Sequence, residues 1–382
     1  IAIITANDKK ALLNYVMDFT IEKDKLLSAL TTLSKINPAR TTLPILSTVL
    51  IKTEQTGNVV FRTTDLEVEM KITVESKVLE EGETCAPIYK LLEISNTLSE
   101  ETVSINVNET QRMRIKTSTG KYLLMCNKTE EFPDQREFHD QPKQVSATFL
   151  RESIKSTTYA CSKDELKPTL NGVLISFGTT SVTSVSTDGH RLVKFICKQE
   201  NETGNSVLIP QKFLNIIGTG AINTKKALLN VYEDYITIET NNIKLSSRLI
   251  SEKFPDYENV IPKENHNTTT VTTQTLLGAV KKVSLMSNKT TKQIILKLQT
   301  NKIFVSAEDH ETGGAAMDEI DANTVGGELT IGFNSTLLLD ILKHQKTEEL
   351  HLLTSGPLNA ALFKPVGETE TETTTLLMPI RI

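Results

Sequence analysis

Glu130-Glu131-Phe132-Pro133-Asp134-Gln135 returns 122 residues later as Glu252-Lys253-Phe254-Pro255-Asp256-Tyr257. Three more series keep nearly the same spacing. A strand-like run ends in an acid at Asp65, Asp188 and Asp309. A strand runs into an apolar helix around Leu92, Leu214 and Leu338. FTIEKDKLLSAL, SATFLRESIK and TTVTTQTLLGAV open at Phe19, Ser146 and Thr269. Such a period is too long for a solenoid unit and matches a complete domain. Three periods span 366 residues, the stretch from Met17 to Ile382. The expected domains are therefore 17–141, 142–262 and 263–382. Residues 1–16 are read as an extension and kept out of the fold argument.

Within each copy a short strand leads into a helix and then several strands, twice over. Leu26, Leu27, Leu30 and Leu33 share one helical face, as do Leu91, Ile94 and Leu98. The second copy offers Leu150, Ile154 and Cys161, then Phe213, Ile216 and Ile217; the third offers Leu276, Val280 and Val283, then Leu338, Ile341 and Leu342. Between helices the runs are β-branched or alternating and broken by Gly, Asn and Thr. Two helices and about eight strands per copy make an α+β domain.

Net charge is −5, from 42 Lys and Arg against 47 Asp and Glu. That excludes a uniformly basic nucleic-acid coat but not a basic face on an acidic body. The helical segments 23–40, 89–98, 149–163, 210–218, 274–292 and 335–346 carry +3, 0, +2, +1, +4 and +1, leaving −16 for the rest. Basic helices sharing a surface would attract phosphates whatever the base sequence. Head-to-tail copies of one domain close into a ring when the rotation divides a full turn, and a ring lined by basic helices suits a duplex. Trp is absent and aromatics are 5%, which argues against single-strand stacking platforms. No window approaches the ~18 apolar residues of a membrane helix.

Ser186-Thr187-Asp188-Gly189-His190-Arg191-Leu192 contains the residue types of a hydrolytic triad. A triad, however, brings residues together from different elements, and Asp-Gly is first a turn signal. The string is read as a tight turn presenting His190 and Arg191 to a partner, with a hydrolase using Asp188 and His190 as the rival and a protein-only scaffold as a third reading. Ser118-Thr119-Gly120-Lys121 lacks the upstream glycine of a phosphate loop and reads as a hairpin turn. Four cysteines (85, 126, 161, 197) and six histidines show no ligand spacing. They read as free thiols and ordinary histidines, with no metal and no cofactor. The tail Leu376-Leu377-Met378-Pro379-Ile380-Arg381-Ile382 is apolar to its end, so it packs, either as an edge strand or as one wall of a peptide groove.

The chain from Met17 to Ile382 resembles the bacterial sliding clamp family, the beta subunit of DNA polymerase III. The matching strings are Leu43-Pro44-Ile45-Leu46, Leu170-Asn171-Gly172-Val173-Leu174, Thr187 to Leu192, Phe254-Pro255-Asp256-Tyr257, Ile331-Gly332-Phe333-Asn334 and the tail from Met378. The resemblance implies the DNA-clamp fold and a head-to-tail homodimeric ring with helices inside and sheets outside. It implies a cytoplasmic processivity factor with no catalysis of its own, placed on duplex DNA by an ATP-driven clamp loader. The polymerase alpha subunit, the loader, other polymerases and repair proteins would dock through short motifs carrying Gln and Leu or Phe; no membrane is involved. By matching position the peptide pocket would be lined by Leu170, Thr187, Gly189, His190, Arg191, Leu192, Pro255, Val260, Leu337, Pro357, Asn359, Leu377, Met378, Pro379, Ile380 and Arg381. Leu337 stands where the family often has an aromatic and Asn259 where it often has a basic residue. Arg40 and Lys167 would meet DNA, joined by Lys281 and Lys282 of the most basic helix. Subunit contacts would fall at Tyr122 and Leu124 in copy one and at Leu285 and Met286 in copy three.

Overall fold

The computed structural model describes residues 15–38, 41–99, 101–135, 138, 141–200, 206–367 and 370–382. The first repeat runs β1 (Tyr15–Glu22), α1 (Lys23–Leu33), β2 (Thr48–Glu54), β3 (Asn58–Thr64), β4 (Val68–Glu75), β5 (Lys77–Glu80), β6 (Glu83–Pro87), α2 (Ile88–Thr97), β7 (Thr102–Asn108), β8 (Arg112–Lys116), β9 (Lys121–Met125). The second runs β10 (Lys143–Ser146), α3 (Leu150–Thr157), β11 (Gly172–Phe177), β12 (Ser181–Thr187), β13 (Arg191–Lys198), β14 (Ser206–Pro210), α4 (Gln211–Ile216), β15 (Leu228–Val231), β16 (Tyr235–Glu239), β17 (Ile243–Arg248). The third runs β18 (Asn267–Thr272), α5 (Thr273–Val283), β19 (Gln293–Leu298), β20 (Lys302–Asp309), β21 (Gly314–Asp321), β22 (Asn323–Val325), β23 (Leu329–Asn334), α6 (Ser335–Lys343), β24 (Glu349–Thr354), β25 (Ala361–Pro365), β26 (Thr371–Leu377). The α+β class and the thrice-repeated order agree with the sequence reading. The first strand begins at Tyr15, two residues ahead of the expected boundary.

Apolar periodicity explains the helices. Leu26, Ala29, Leu30 and Leu33 form the buried face of α1, and Leu276, Ala279, Val280 and Val283 that of α5. Asn334 caps α6, its Oδ1 accepting from the amides of Thr336 and Leu337 at 3.0 and 3.3 Å. The helices end sooner than the charge reading assumed. Lys35, Lys163, Lys289, Lys292 and Lys346 lie in the segments that follow α1, α3, α5 and α6. The helices proper carry +1, 0, +1, +1, +2 and 0, so much of the positive charge sits in the segments that follow the helices.

The described residues pack as two compact units. One comprises the residues up to Thr148 with Thr219–Arg248; the other comprises Phe149–Gly218 with Leu249–Ile382. The middle repeat is thus divided between them. In the first unit a five-stranded sheet runs β5-β1-β7-β8-β9 and an eight-stranded sheet runs β10-β15-β16-β17-β4-β3-β2-β6. There β17 pairs with β4, joining strands of repeats one and two. In the second unit a nine-stranded sheet runs β14-β11-β12-β13-β26-β25-β24-β18-β22, beside a four-stranded β21-β20-β19-β23. There β13 pairs with β26 from Arg191↔Leu377 to Cys197↔Thr371, joining repeats two and three. The tail strand β26 is therefore central, flanked by β13 and β25, and the edge-strand reading does not hold.

The recurring strings acquire physical reasons. Each series acid closes a turn. Asp65 Oδ1 accepts from the amides of Glu67 and Val68, Asp188 Oδ1 from those of His190 and Arg191, and Asp309 Oδ1 from that of Glu311. The Phe-Pro-Asp strings are the segments that cross a joined sheet. Phe132 is buried beneath the Arg62 guanidinium, whose Nη2 donates to the Pro133 carbonyl at 2.6 Å. Phe254 is buried with Val185, Leu192, Leu208, Ala360, Leu362 and Leu376. Two joined sheets require two such straps. Among the described residues no helix is long and apolar enough to cross a membrane.

Candidate functional site

In the second unit the start of β13, the tail, the strap and the loop before β25 meet on one face of the nine-stranded sheet. Leu192 of β13, Leu376 of β26, Leu362 of β25 and Phe254 of the strap form its apolar floor, with Leu353, Tyr257 and Ile261 packed at the margin. Above it Gly189, His190, Pro255, Val260, Pro357, Asn359 and Met378 are exposed. A floor of this kind, with a few polar groups such as His190 and Asn359 above it, is what a linear apolar motif needs.

The Asp188 turn makes one wall. Thr187 Oγ1 donates to the Arg191 carbonyl at 2.6 Å, Gly189 N donates back to Thr187 Oγ1, and Gly189 has φ +91°. The tail makes another. Met378 N donates to the His190 carbonyl at 2.9 Å, and beyond Pro379 the Ile380 amide donates to the Gly332 carbonyl at 2.9 Å. A side chain at Gly332 would put its Cβ 2.9 Å from the Ile380 oxygen and 3.0 Å from Ile382 Cγ1. The Ile-Gly-Phe-Asn string thus has its glycine because the tail lies against it. Asn259 reaches the carboxylate of Asp256 (2.7 Å), which fixes the strap's own bend. Lys194 holds Glu258 at 2.6 Å and lies over the Tyr257 ring. The Lys194 ammonium lowers the Glu258 carboxyl from its ordinary value, whereas burial first, and the Glu258 carboxylate after it, push Tyr257 up to about 12.

Two expected lining residues turn out to be internal. Arg191 and Leu377 face each other across the β13–β26 pair, one register step from Leu192 and Leu376, and successive strand residues point to opposite faces. Leu377 is buried in the core of the third repeat. Arg191 is 7% exposed. It bonds the Asp188 carboxylate (3.0 Å), the Asp340 carboxylate (3.2 Å) and the Tyr159 carbonyl (2.7 Å). It is not presented to a partner. Leu337 packs half-buried against the third-repeat core, and Leu170 is half-buried at the end of the 3-10 turn Pro168–Leu170. Pro379 and Ile380 are half-buried and Arg381 is exposed. Leu362 and Phe254 were not among the expected lining residues, and Leu376 was expected only as part of the tail wall.

The hydrolytic arrangement is not formed at this turn. Ser186 is buried with its hydroxyl donating to the Thr157 carbonyl, and Asp188 is occupied by backbone amides and Arg191. Of the DNA-facing positions, Arg40 lies outside the described residues. Lys167 and Lys281 are exposed, and Lys282 pairs with Asp318. Tyr122 and Leu124 lie on β9, the open edge of the five-stranded sheet, opposite the buried Ile115 and Met113. Leu285 and Met286 are exposed in the 3-10 turn Ser284–Met286, packed beside β20 and β21. A depression of about 340 Å³ lies on β19–β21, lined by Ile295, Ser306, Glu308, Ala315, Ala316 and Met317 among others; it is at the β21 edge, not at the groove.

Three family models match in succession: the N-terminal domain of DNA polymerase III beta subunit at residues 17–136, the central domain at 144–256 and the C-terminal domain at 258–381. The chain is similar to the beta sliding clamp of Pseudomonas putida, 29% identical over 378 residues, covering 96% of this chain and all of that protein. It is 26% identical over 370 residues to the beta sliding clamp of Haemophilus influenzae, again with 96% and 100% coverage. Among solved structures it matches the DnaN sliding clamp of Pseudomonas aeruginosa bound to griselimycin, with TM-score 0.88, 28% identity and 96% and 100% of the two chains covered. The griselimycin-bound clamp of Bartonella birtlesii matches with TM-score 0.89, 26% identity and the same coverage. With matched models spanning nearly the whole repeat array, the chain belongs to the DNA polymerase III beta subunit family, the sliding clamps that serve as processivity factors in DNA replication.

Proposed function

We infer that two copies of this chain close head to tail into a ring around duplex DNA, with β9 of each copy pairing to β21 of the other. The observation that carries this is the strand inventory. Repeats one and two share an eight-stranded sheet and repeats two and three a nine-stranded one, while five- and four-stranded sheets at the two ends of the array stay separate. Joining those two would make a third long sheet. Their edges suit it. The core face of the first sheet runs on to Tyr122 and Leu124 at β9, and Leu123 and Met125 are exposed on its other face. Met317 on β21 is 72% exposed and Leu285 beside it 79%. Exposed apolar side chains on an unpaired strand edge favour strand addition. The opposite edge β5 is a four-residue strand carrying Lys77 and Glu80, the kind that resists it.

The ring would hold DNA by topology, with Lys167 and Lys281 giving weak, sequence-independent phosphate contacts. The three domains take the boundaries 17–141, 142–262 and 263–382. The protein does no chemistry of its own and works in the cytoplasm, where an ATP-driven loader places it. The face floored by Leu192, Leu376, Leu362 and Phe254 receives the Gln- and Leu/Phe-bearing motifs of polymerases, loader and repair proteins. Light scattering tests the closure: the mass should be about twice 42.4 kDa. Replacing both Leu285 and Met286 by Asp should give a folded protein of single mass. A wild-type monomer at micromolar concentration would overturn the reading.

A further inference from the structure

We propose that Asp340, on α6 of the third repeat, is a positioning residue for the partner groove and acts through Arg191. This rests on the groove reading above. Arg191 is buried on the far side of the sheet from the groove floor, and its donors go to three separate elements. Nε reaches Asp188 Oδ2 in the groove-wall turn at 3.0 Å, Nη2 the Tyr159 carbonyl in the 3-10 turn Thr158–Ala160 at 2.7 Å, and Nη1 Asp340 Oδ2 on α6 at 3.2 Å.

Asp340 also closes this circuit from its main chain. Its carbonyl bonds His344 Nδ1 at 2.7 Å, and the His344 ring lies flat on the Tyr159 ring, centroids 3.8 Å apart and planes 6° apart. The Arg191 guanidinium carbon stands 5.2 Å from the centre of that same Tyr159 ring. One residue of α6 therefore holds both ends of a loop of contacts running through Arg191, Tyr159 and His344. The circuit fixes the Asp188 turn, whose His190 carbonyl in turn receives the Met378 amide. Beside the β13–β26 pairing, this carboxylate adds a side-chain tie from the Asp188 turn, and through it the Met378 amide, to α6 of the third repeat.

Without it, Nη1 of the guanidinium loses its protein partner, and the turn that Arg191 also holds is set less firmly. The groove is then competent for a smaller fraction of the time, and apparent affinity falls by that fraction. A seated peptide would itself hold the turn, so the loss belongs to association. A residue that touched the peptide would act mainly on dissociation.

The experiment is stopped-flow binding of the fluorescein-labelled pentapeptide Gln-Leu-Ala-Leu-Phe to the full chain, its Met378–Ile382 deletion and Asp340 variants. Binding by the wild type and none by the deletion upholds the groove itself. Asp340→Ala should then slow association roughly five-fold, with dissociation and mass unchanged and the melting temperature lowered by a few degrees at most, and Asp340→Glu should recover most of the rate. In an Arg191→Lys background Asp340→Ala should add nothing further. The proposal falls, with the groove standing, if Asp340→Ala binds like wild type, if its loss lies in dissociation, or if the loss is the same beside Arg191→Lys. A wild type that binds no peptide overturns the groove reading and this inference together.

Discussion

Leu66 follows Asp65 into the first-repeat turn with φ +80°, at the place where the second repeat has Gly189 with φ +91°. A left-handed backbone costs an L residue about 1–2 kcal/mol, and Leu66 is 49% exposed, so it recovers little by burial. Leu66→Gly should therefore stabilise the protein by about 0.5–1 kcal/mol after the extra chain entropy of glycine is subtracted. Gly189→Ala should destabilise by about 1 kcal/mol, since open space surrounds Gly189 and only the backbone term remains. Urea titrations of the two variants read both signs. The thiols give a second test. Burial pushes Cys85 and Cys161 up to about 12 and Cys126 to about 11, while Cys197 is only half-buried and raised less. The reactive thiolate is thus scarce below those values and grows as pH rises toward them. At pH 8 Ellman's reagent should find one fast thiol in the native protein, Cys197, and all four in denaturant. Several fast native thiols would contradict the burial.

At the scale of elements, the two straps explain why one string recurs twice while the others recur three times. Phe254 anchors the second strap among Leu192, Leu362 and Leu376. Phe254→Ala should cost about 3 kcal/mol and loosen the groove floor, read as a lowered urea midpoint and weaker pentapeptide binding; an unchanged midpoint would show that the strap is not anchored there. The repeat, the six helices and the α+β class were legible because apolar period and fixed spacing are written along the chain. The sharing of sheets across repeats was not, since β17–β4 and β13–β26 pair residues more than 170 positions apart and no local pattern encodes a partner strand. The groove was half legible. Gly189, His190, Val260 and Met378, expected to line the pocket, are exposed, whereas Arg191 and Leu377 are buried on the other face from Leu192 and Leu376, because a strand shows each face only every second residue. Arg191 looked like a surface cation; beside the nearby Asp188, two of its acceptors, Tyr159 and Asp340, come from distant parts of the chain and could be seen only in the fold.

At the scale of the molecule, sequence charge suggested basic helices against an acidic remainder, and the structure moves much of that charge to the segments behind the helix C-termini. Lys282 pairs with Asp318, Lys155 with Glu152 and Lys90 with Glu93, so fewer cations are free for phosphates than a simple count implies. Weak phosphate contact is what a protein needs if it is to move along DNA while topology prevents its escape. Retention on nicked circular DNA after loading with a clamp loader and ATP tests that claim most directly. The account predicts a complex that survives 0.5 M salt on the circle and is lost once the circle is cut; equal release from circular and linear DNA would contradict it.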